Sequence, residues 1–320
     1  MKLSRREFLA WGGRALAALG FLKATGGLTG EVFDSAPSVS AGDPLPTRPL
    51  GQTGHLVTLL SLGGEGVLRT TGRMKEAVPV IRRALELGIN YFDTAPAYQQ
   101  SQDYLGEGLQ GDRKRIFLAS KTHHRGRDGS LRLLENSLTR LKTDRLDLWQ
   151  IHDLMEREEL DSLFSTDGAI QALEEARAQR LVRFVGVTGH YDPAVLVEAL
   201  RRYPFDTALV AIHAADKVRL SFIERFLPVA AEKGIGVIAM KVMARGLLLE
   251  DPVRLTPGEA MGYVLSLPVS TVLIGCSTPQ EVEQNVKALS RFKPMTADQM
   301  GRLEERVRPW ESHLSFFKRG

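Results

Sequence analysis

From about residue 50 the chain alternates between two kinds of apolar pattern. Short, nearly continuous apolar runs read LVTLLSLGG, INYFDTA, RIFLASKT, RLDLWQIHD, RFVGVTGH, TALVAIHAA, GVIAMKVM and VSTVLIGC. Between them lie KEAVPVIRRALELG, SLRLLENSLTRLK, AIQALEEARAQ, DPAVLVEALRR, SFIERFLPVAAEKG, PGEAMGYVLSLP and PQEVEQNVKALSRF, with apolar residues at helical spacing. The first of these ends at Gly88, as expected just past a helix, and the second opens at Ser130. Runs without polar alternation predict strands covered on both faces, hence a parallel sheet. Eight such strand–helix units in residues 50–320 predict an α/β protein of the (β/α)8 TIM barrel type. A doubly wound sheet would need a G-x-G-x-x-G turn after its first strand, and SLGGEGVL does not supply one. A last helix is predicted from Thr296, followed by a tail with Trp310, Phe316 and Phe317, expected to pack on the outer helices.

The front of the chain departs from this beat. It reads MKLSRREFLAWGGRALAALGFLKATGG, a basic start followed by a glycine-rich, weakly apolar stretch too short and polar for a membrane span. Ser4-Arg5-Arg6-Glu7-Phe8-Leu9 in these flanks resembles a twin-arginine (Tat) export signal, and SVSAG offers a cleavage point after Ala41. Residues 34–49 are rich in Pro, Ser and Gly. The expected organisation is a signal peptide over 1–41, a linker over 42–49 and the barrel over 50–320. The resemblance implies a bacterial or archaeal source, engagement of the Tat export machinery, and a protein exported folded to the periplasm or another extracytoplasmic space. No stable membrane association is expected after cleavage.

Composition narrows the classes further. The chain is 43% hydrophobic and 25% charged, ordinary for a globular protein with a core. Lys and Arg number 42 against 38 Asp and Glu, with no aromatic-interleaved basic patch, so nucleic acid is not an expected partner. The single cysteine, Cys276, excludes an intramolecular disulfide and a cysteine-built metal site.

In a barrel of this kind the chemistry sits at the C-terminal ends of the strands. The polar residues there are Asp93, with Tyr98 in the next loop; Lys121; His152 and Asp153; Thr188 and His190; His213 and Asp216; and Lys241. Asp93, Tyr98, Lys121 and His152 form a chemically coherent set. An isolated phenol titrates near ~10, and a neighbouring ammonium is expected to lower that by roughly 1–3 units. The ammonium needs a carboxylate to be tolerated when buried. A neutral histidine can orient a carbonyl oxygen. Together they describe a proton donor for carbonyl reduction. The alternatives are a metal-dependent hydrolase holding its ion on His152, His190 and His213, or a non-catalytic barrel that binds nucleotide.

At this point the chain resembles the aldo-keto reductase family over residues 48–290. LGQTGHLVTLLSLGG is similar to the family's opening hairpin and first strand, and GINYFDTAPAYQQSQDYLGEGL to its signature around the reactive Asp and Tyr. IFLASKT carries the lysine and LDLWQIHD the histidine. The resemblance implies an NAD(P)H-dependent reductase of a small carbonyl substrate, with Asp93, Tyr98, Lys121 and His152 as the catalytic tetrad. It also implies cofactor contacts at Thr188, Gly189, Met240, Lys241, Gly275, Ser277 and Asn285. Several positions depart from the family pattern. Thr188-Gly189 stand for Ser-Asn, Ala211 for a glutamine and Met240 for an aromatic. Gln99 and Gln102 replace Gly and Glu. Cys276 and Glu281 stand where cations would hold a 2′-phosphate, which leaves NAD or NADP open.

Overall fold

A computed structural model describes residues 45–318. The expected export signal, its expected cleavage point and the start of the expected linker lie outside the described residues. The linker's end is structured: β1 (Thr47–Pro49) pairs antiparallel with β2 (Leu56–Thr58). Pro49 is tolerated because β1 is an edge strand of a two-stranded sheet. The run LVTLLSLGG is therefore two elements, half hairpin and half first barrel strand.

The barrel closes in the order β10-β3-β4-β5-β6-β7-β8-β9. Its strands are β3 (Leu60–Gly66), β4 (Tyr91–Asp93), β5 (Phe117–Thr122), β6 (Leu146–Ile151), β7 (Val182–Gly189), β8 (Thr207–Ala211), β9 (Gly236–Met240) and β10 (Thr271–Cys276). Every neighbouring pair in the barrel is parallel. The predicted helices appear as α1 (Met74–Glu86), α3 (Arg127–Arg140), α5 (Ala169–Ala178), α6 (Pro193–Arg202), α9 (Pro257–Leu265), α10 (Pro279–Leu289) and α11 (Ala297–Val307); a short α4 (Glu158–Leu163) precedes α5, and α2, α7, α8 and α12 are placed below. Thr296 caps α11 with a reciprocal Thr–Gln299 box.

Two helices differ from expectation for local reasons. SFIERFLPVAAEKG forms two short helices, α7 (Phe222–Arg225) and α8 (Leu227–Glu232), because Pro228 in the first turn of α8 has no N–H to continue the ladder. Ser130 does not start its helix. Helix α3 begins at Arg127, and the buried Ser130 hydroxyl ties it to strand β5, donating to the His124 carbonyl (3.1 Å) and bonding Thr122 Oγ1 (3.0 Å).

The core lies in two places. The larger cluster fills the space between the strands' outer faces and the helices. The smaller one lies inside the barrel and includes Tyr91, Phe117, Ala119, Leu148, Leu209 and Ile238, the inward residues of successive strands. Leu50 and Val57 of the hairpin join this inner cluster, and the His55 ring meets Phe117 and Phe184 edge-on at 5.3 and 5.5 Å. The hairpin thus closes the N-terminal end of the barrel and leaves the C-terminal end for ligands. No helix among the described residues is long and apolar enough to cross a membrane.

Candidate active site

Strand alternation aims Asp93, Lys121 and Gln150 at the barrel interior near its C-terminal rim. Asp93 and Lys121 are buried, at 1% and 0% exposure, and form a direct ion pair. Lys121 Nζ also donates to the Thr94 carbonyl (2.8 Å), and Gln150 Nε2 donates to the second Asp93 oxygen (3.0 Å). Burial pushes Asp93 up and Lys121 down, each toward its neutral form, and their mutual contact opposes both shifts.

Tyr98 follows β4 in a turn that leads into α2 (Ser101–Gly108). Its ring comes so close to β3 that a Cβ on Gly64 would lie 2.8 Å from it, so only glycine fits there. The Lys121 ammonium stands 4.9 Å from the ring centroid and the Arg69 guanidinium 5.1 Å. The Tyr98 hydroxyl lies 3.5 Å from His152 Nε2. That spacing suits two groups that reach one inserted oxygen better than it suits a direct bond.

The expected lowering of the Tyr98 pKa is not found. Burial first, then the carboxylates of Asp93 and Glu65, hold the phenol well above its usual value. The ammonium of Lys121 is spent on Asp93, so the pair presents little net charge to the tyrosine. Tyr98 is accordingly a protonated phenol. Burial, together with the nearby Lys121 charge, drives His152 well below the usual imidazole range, so it is neutral.

The Gly-to-Gln and Glu-to-Gln departures find structural answers. Gln99 adopts φ 48°, a backbone region that favours glycine, and Arg140 and Thr71 bond its carbonyl and side chain there. Gln102 is buried and donates to Ser120 (3.0 Å) and Ser137 (2.7 Å).

On the opposite half of the rim the predicted contact residues scatter. Thr188 is buried, and its hydroxyl accepts from the Asp153 N–H (2.7 Å). A Cβ on Gly189 would meet the Leu154 carbonyl and the Leu196 side chain of α6, each at 3.1 Å. Met240 lies in the inner cluster. Lys241 Nζ stands 3.6 Å from Glu65, the last polar residue of β3. Against burial that would raise it, Lys241, Arg69 and Arg245 hold Glu65 at about 2, while burial brings Lys241 down to about 8. Gly275 is exposed, and a Cβ there would meet Glu65 at 2.7 Å. The Ser277 N–H donates to Glu281 (2.7 Å), and Asn285 Nδ2 reaches Cys276 Sγ at 3.5 Å.

The histidines proposed as metal ligands are engaged separately. His190 Nδ1 bonds Asp153 (2.7 Å), and His213 Nδ1 accepts from the Ala215 N–H (3.2 Å). Among the described residues no three His, Cys, Asp or Glu side chains converge on a metal position.

The tail corrects an expectation. Past α12 (Glu311–Leu314), Phe317 joins the inner cluster, with its ring 5.6 Å from His213 and 6.5 Å from His190. Lys318 is held in a cage of oxygens, 2.5 Å from Asp216 Oδ1 and 2.8 Å from the Arg219 carbonyl, with both ionic side chains fully buried. Asp216 thus serves the tail rather than the mouth.

The profile described as "Aldo/keto reductase family" matches residues 60–262. L-galactose dehydrogenase of Arabidopsis thaliana is 31% identical over 292 residues, which is 79% of this chain and 90% of that protein. D-threo-aldose 1-dehydrogenase of a Pseudomonas species is 30% identical over 214 residues, 55% of this chain and 62% of that one. The solved holo form of an aldo-keto reductase from Bacillus halodurans superposes with a TM-score of 0.70 at 26% identity, covering 82% of this chain and 96% of its own.

Proposed function

This chain belongs to the aldo/keto reductase family and is an NAD(P)-dependent oxidoreductase acting on carbonyl compounds; from that premise we propose that Tyr98 is its proton donor. The observation that carries this reading is the buried Asp93–Lys121 pair beneath a protonated Tyr98 that faces a neutral His152 across 3.5 Å. A carbonyl oxygen set between Tyr98 Oη and His152 Nε2 receives two hydrogen bonds. As negative charge grows on that oxygen, the Tyr98 proton moves to it. Lys121 and Asp93 fix the floor of the site, and Gln150 holds the second Asp93 oxygen. When bound, the nicotinamide supplies the hydride.

The rim suits a dinucleotide. Lys241 and Arg69 offer cations for its phosphates, and the exposed backbone at Gly275 allows close approach. At the start of α10, however, the Glu281 carboxylate already occupies the Ser277 N–H. A 2′-phosphate there meets a like charge, and that N–H is already taken. The preferred cofactor is therefore NAD. Nucleotide binding is tested by fluorescence titration of the nucleotide-free protein. NADH binding at least tenfold tighter than NADPH is expected, with Glu281→Arg narrowing or reversing the gap. Tighter NADPH binding by the unaltered protein refutes the assignment.

The substrate class we favour is a polyhydroxylated carbonyl. Two relatives are named for sugars, and the rim near Tyr98 is polar, with Asp153, His190, Glu65 and Arg69. We also propose that residues 1–41 are a twin-arginine signal and that the folded barrel is exported with nucleotide aboard; Arg5-Arg6 in a basic flank supports this. Replacing both arginines by lysine is expected to retain the protein inside the cell. Unchanged export refutes it.

A further inference from the structure

The pair Asp153–His190 is built with more support than its exposure requires. Asp153 follows His152 directly and adopts φ 57°, a strained conformation for a residue with a side chain. Three contacts hold it there. Its N–H donates to Thr188 Oγ1 (2.7 Å), its carbonyl accepts from Arg125 Nη2 (3.0 Å), and the preceding His152 carbonyl accepts from Arg125 Nη1 (2.9 Å). Arg125 is itself fixed by Glu159 at 2.9 Å. So clamped, Asp153 meets His190 Nδ1 at 2.7 Å across the boundary between β6 and β7. A carboxylate on Nδ1 keeps the proton there and leaves the Nε2 lone pair as an acceptor. The His190 side chain retains 14% exposure, with Phe317 closing one side of it at 6.5 Å. The pair adjoins the reacting groups: Asp153 directly follows His152, whose Nε2 lies 3.5 Å from the Tyr98 hydroxyl.

Resting on the carbonyl-reductase reading above, we infer that His190 is a specificity-determining residue. Its Nε2 accepts a hydrogen bond from a hydroxyl on the carbon next to the reacting carbonyl, and Asp153 is the residue that positions it. A site built to bond a substrate hydroxyl discriminates strongly against the analogue that lacks it, because a buried polar group is then left unpaired. The role is separate from proton delivery, which Tyr98 performs.

The test compares glyceraldehyde with propionaldehyde, which have the same carbon count and aldehyde but differ in hydroxylation. Each is reduced by the full protein with its nucleotide, and kcat and KM are measured separately. For His190→Ala the ratio of kcat/KM values, glyceraldehyde over propionaldehyde, is expected to fall by ~10–100-fold. The loss lies mainly in KM for glyceraldehyde, propionaldehyde is nearly unaffected, and nucleotide affinity measured by titration is unchanged. His190→Gln, which keeps an acceptor, restores part of the ratio. Asp153→Asn lowers the ratio by a smaller factor, since the ring loses its orientation but not its nitrogen. Equal losses for both aldehydes, or a loss of nucleotide affinity, overturn the inference. If the unaltered protein reduces neither aldehyde nor any other carbonyl, the underlying reductase reading fails instead, and titration separates the two cases.

Discussion

Replacing Asp93 by Asn removes one charge at nearly constant shape. It strips the counter-ion from Lys121, whose side chain has no exposure and whose other partner is the Thr94 carbonyl at 2.8 Å. Removing one member of a buried pair costs ~3–5 kcal/mol, because the remaining charge stays buried and uncompensated. For a domain of this size, that corresponds to a melting temperature lower by roughly 6–15 °C. The loss should depend on pH in a definite sense. Lys121 already has a folded-state pKa below its ordinary value, and losing Asp93 lowers it further. A lysine whose folded pKa lies below its unfolded one leaves the unfolded chain holding more protons between the two values. Stability therefore rises with pH across that window. The deficit of Asp93→Asn should be greatest below the lowered Lys121 pKa and shrink as pH climbs toward the ordinary lysine value. A second variant separates charge from packing. Asp93→Asn combined with Lys121→Met removes both charges and should recover most of the stability at neutral pH, while activity stays lost. Thermal and denaturant unfolding of the three proteins between pH 6 and pH 9 reads all of this. A single variant within about 1 kcal/mol of the parent, or a double variant no more stable than the single one, refutes the reasoning.

Two further outcomes follow from the rim and the tail. Lys241, brought by burial to about 8, is charged below that pH and neutral above it; the dissociation constant for NADH should rise between pH 7 and pH 9, and Lys241→Met should flatten that dependence in a titration series. Lys318→Ala leaves Asp216 buried without its cation and frees Phe317 from its anchor, so calorimetry should show a loss of ~3–5 kcal/mol, whereas a change under 1 kcal/mol contradicts the burial of the pair.

The barrel and the Asp93–Lys121–His152 side of the site were legible because both depend on local rules. Apolar runs bounded by helical segments announce strands, and the last polar residue of each strand announces the rim. Gln150 sits two residues before His152 and so shares its face; alternation alone would have found it. Glu65 closes the first barrel strand and was equally within reach of the strand-end rule. Helix α2 escaped because SQDYLGEG carries two glycines. Gly106 stands where it does because a Cβ would lie 2.2 Å from the Arg140 carbonyl. Close helix packing chose the glycine, against helix propensity. Lys318 could not be foreseen at all. A lysine third from the end of the sequence reads as solvated, and only its position against Asp216, 102 residues earlier, reveals a buried anchor. The direction of the Tyr98 shift was also hidden. The nearby ammonium is evident in the sequence, but its neutralisation by Asp93 and the burial of the phenol are tertiary facts.

Tyr98 is proposed to deliver the proton while other groups hold nucleotide and substrate. The most direct measurement is kcat for Tyr98→Phe, with NADH and an accepted aldehyde, beside nucleotide affinity by titration on the same preparation. If Tyr98 is the donor, kcat falls ~10²–10⁴-fold while NADH affinity stays within a factor of about three of the parent. A kcat retained within a factor of ten would contradict it and move the proton donor to another residue.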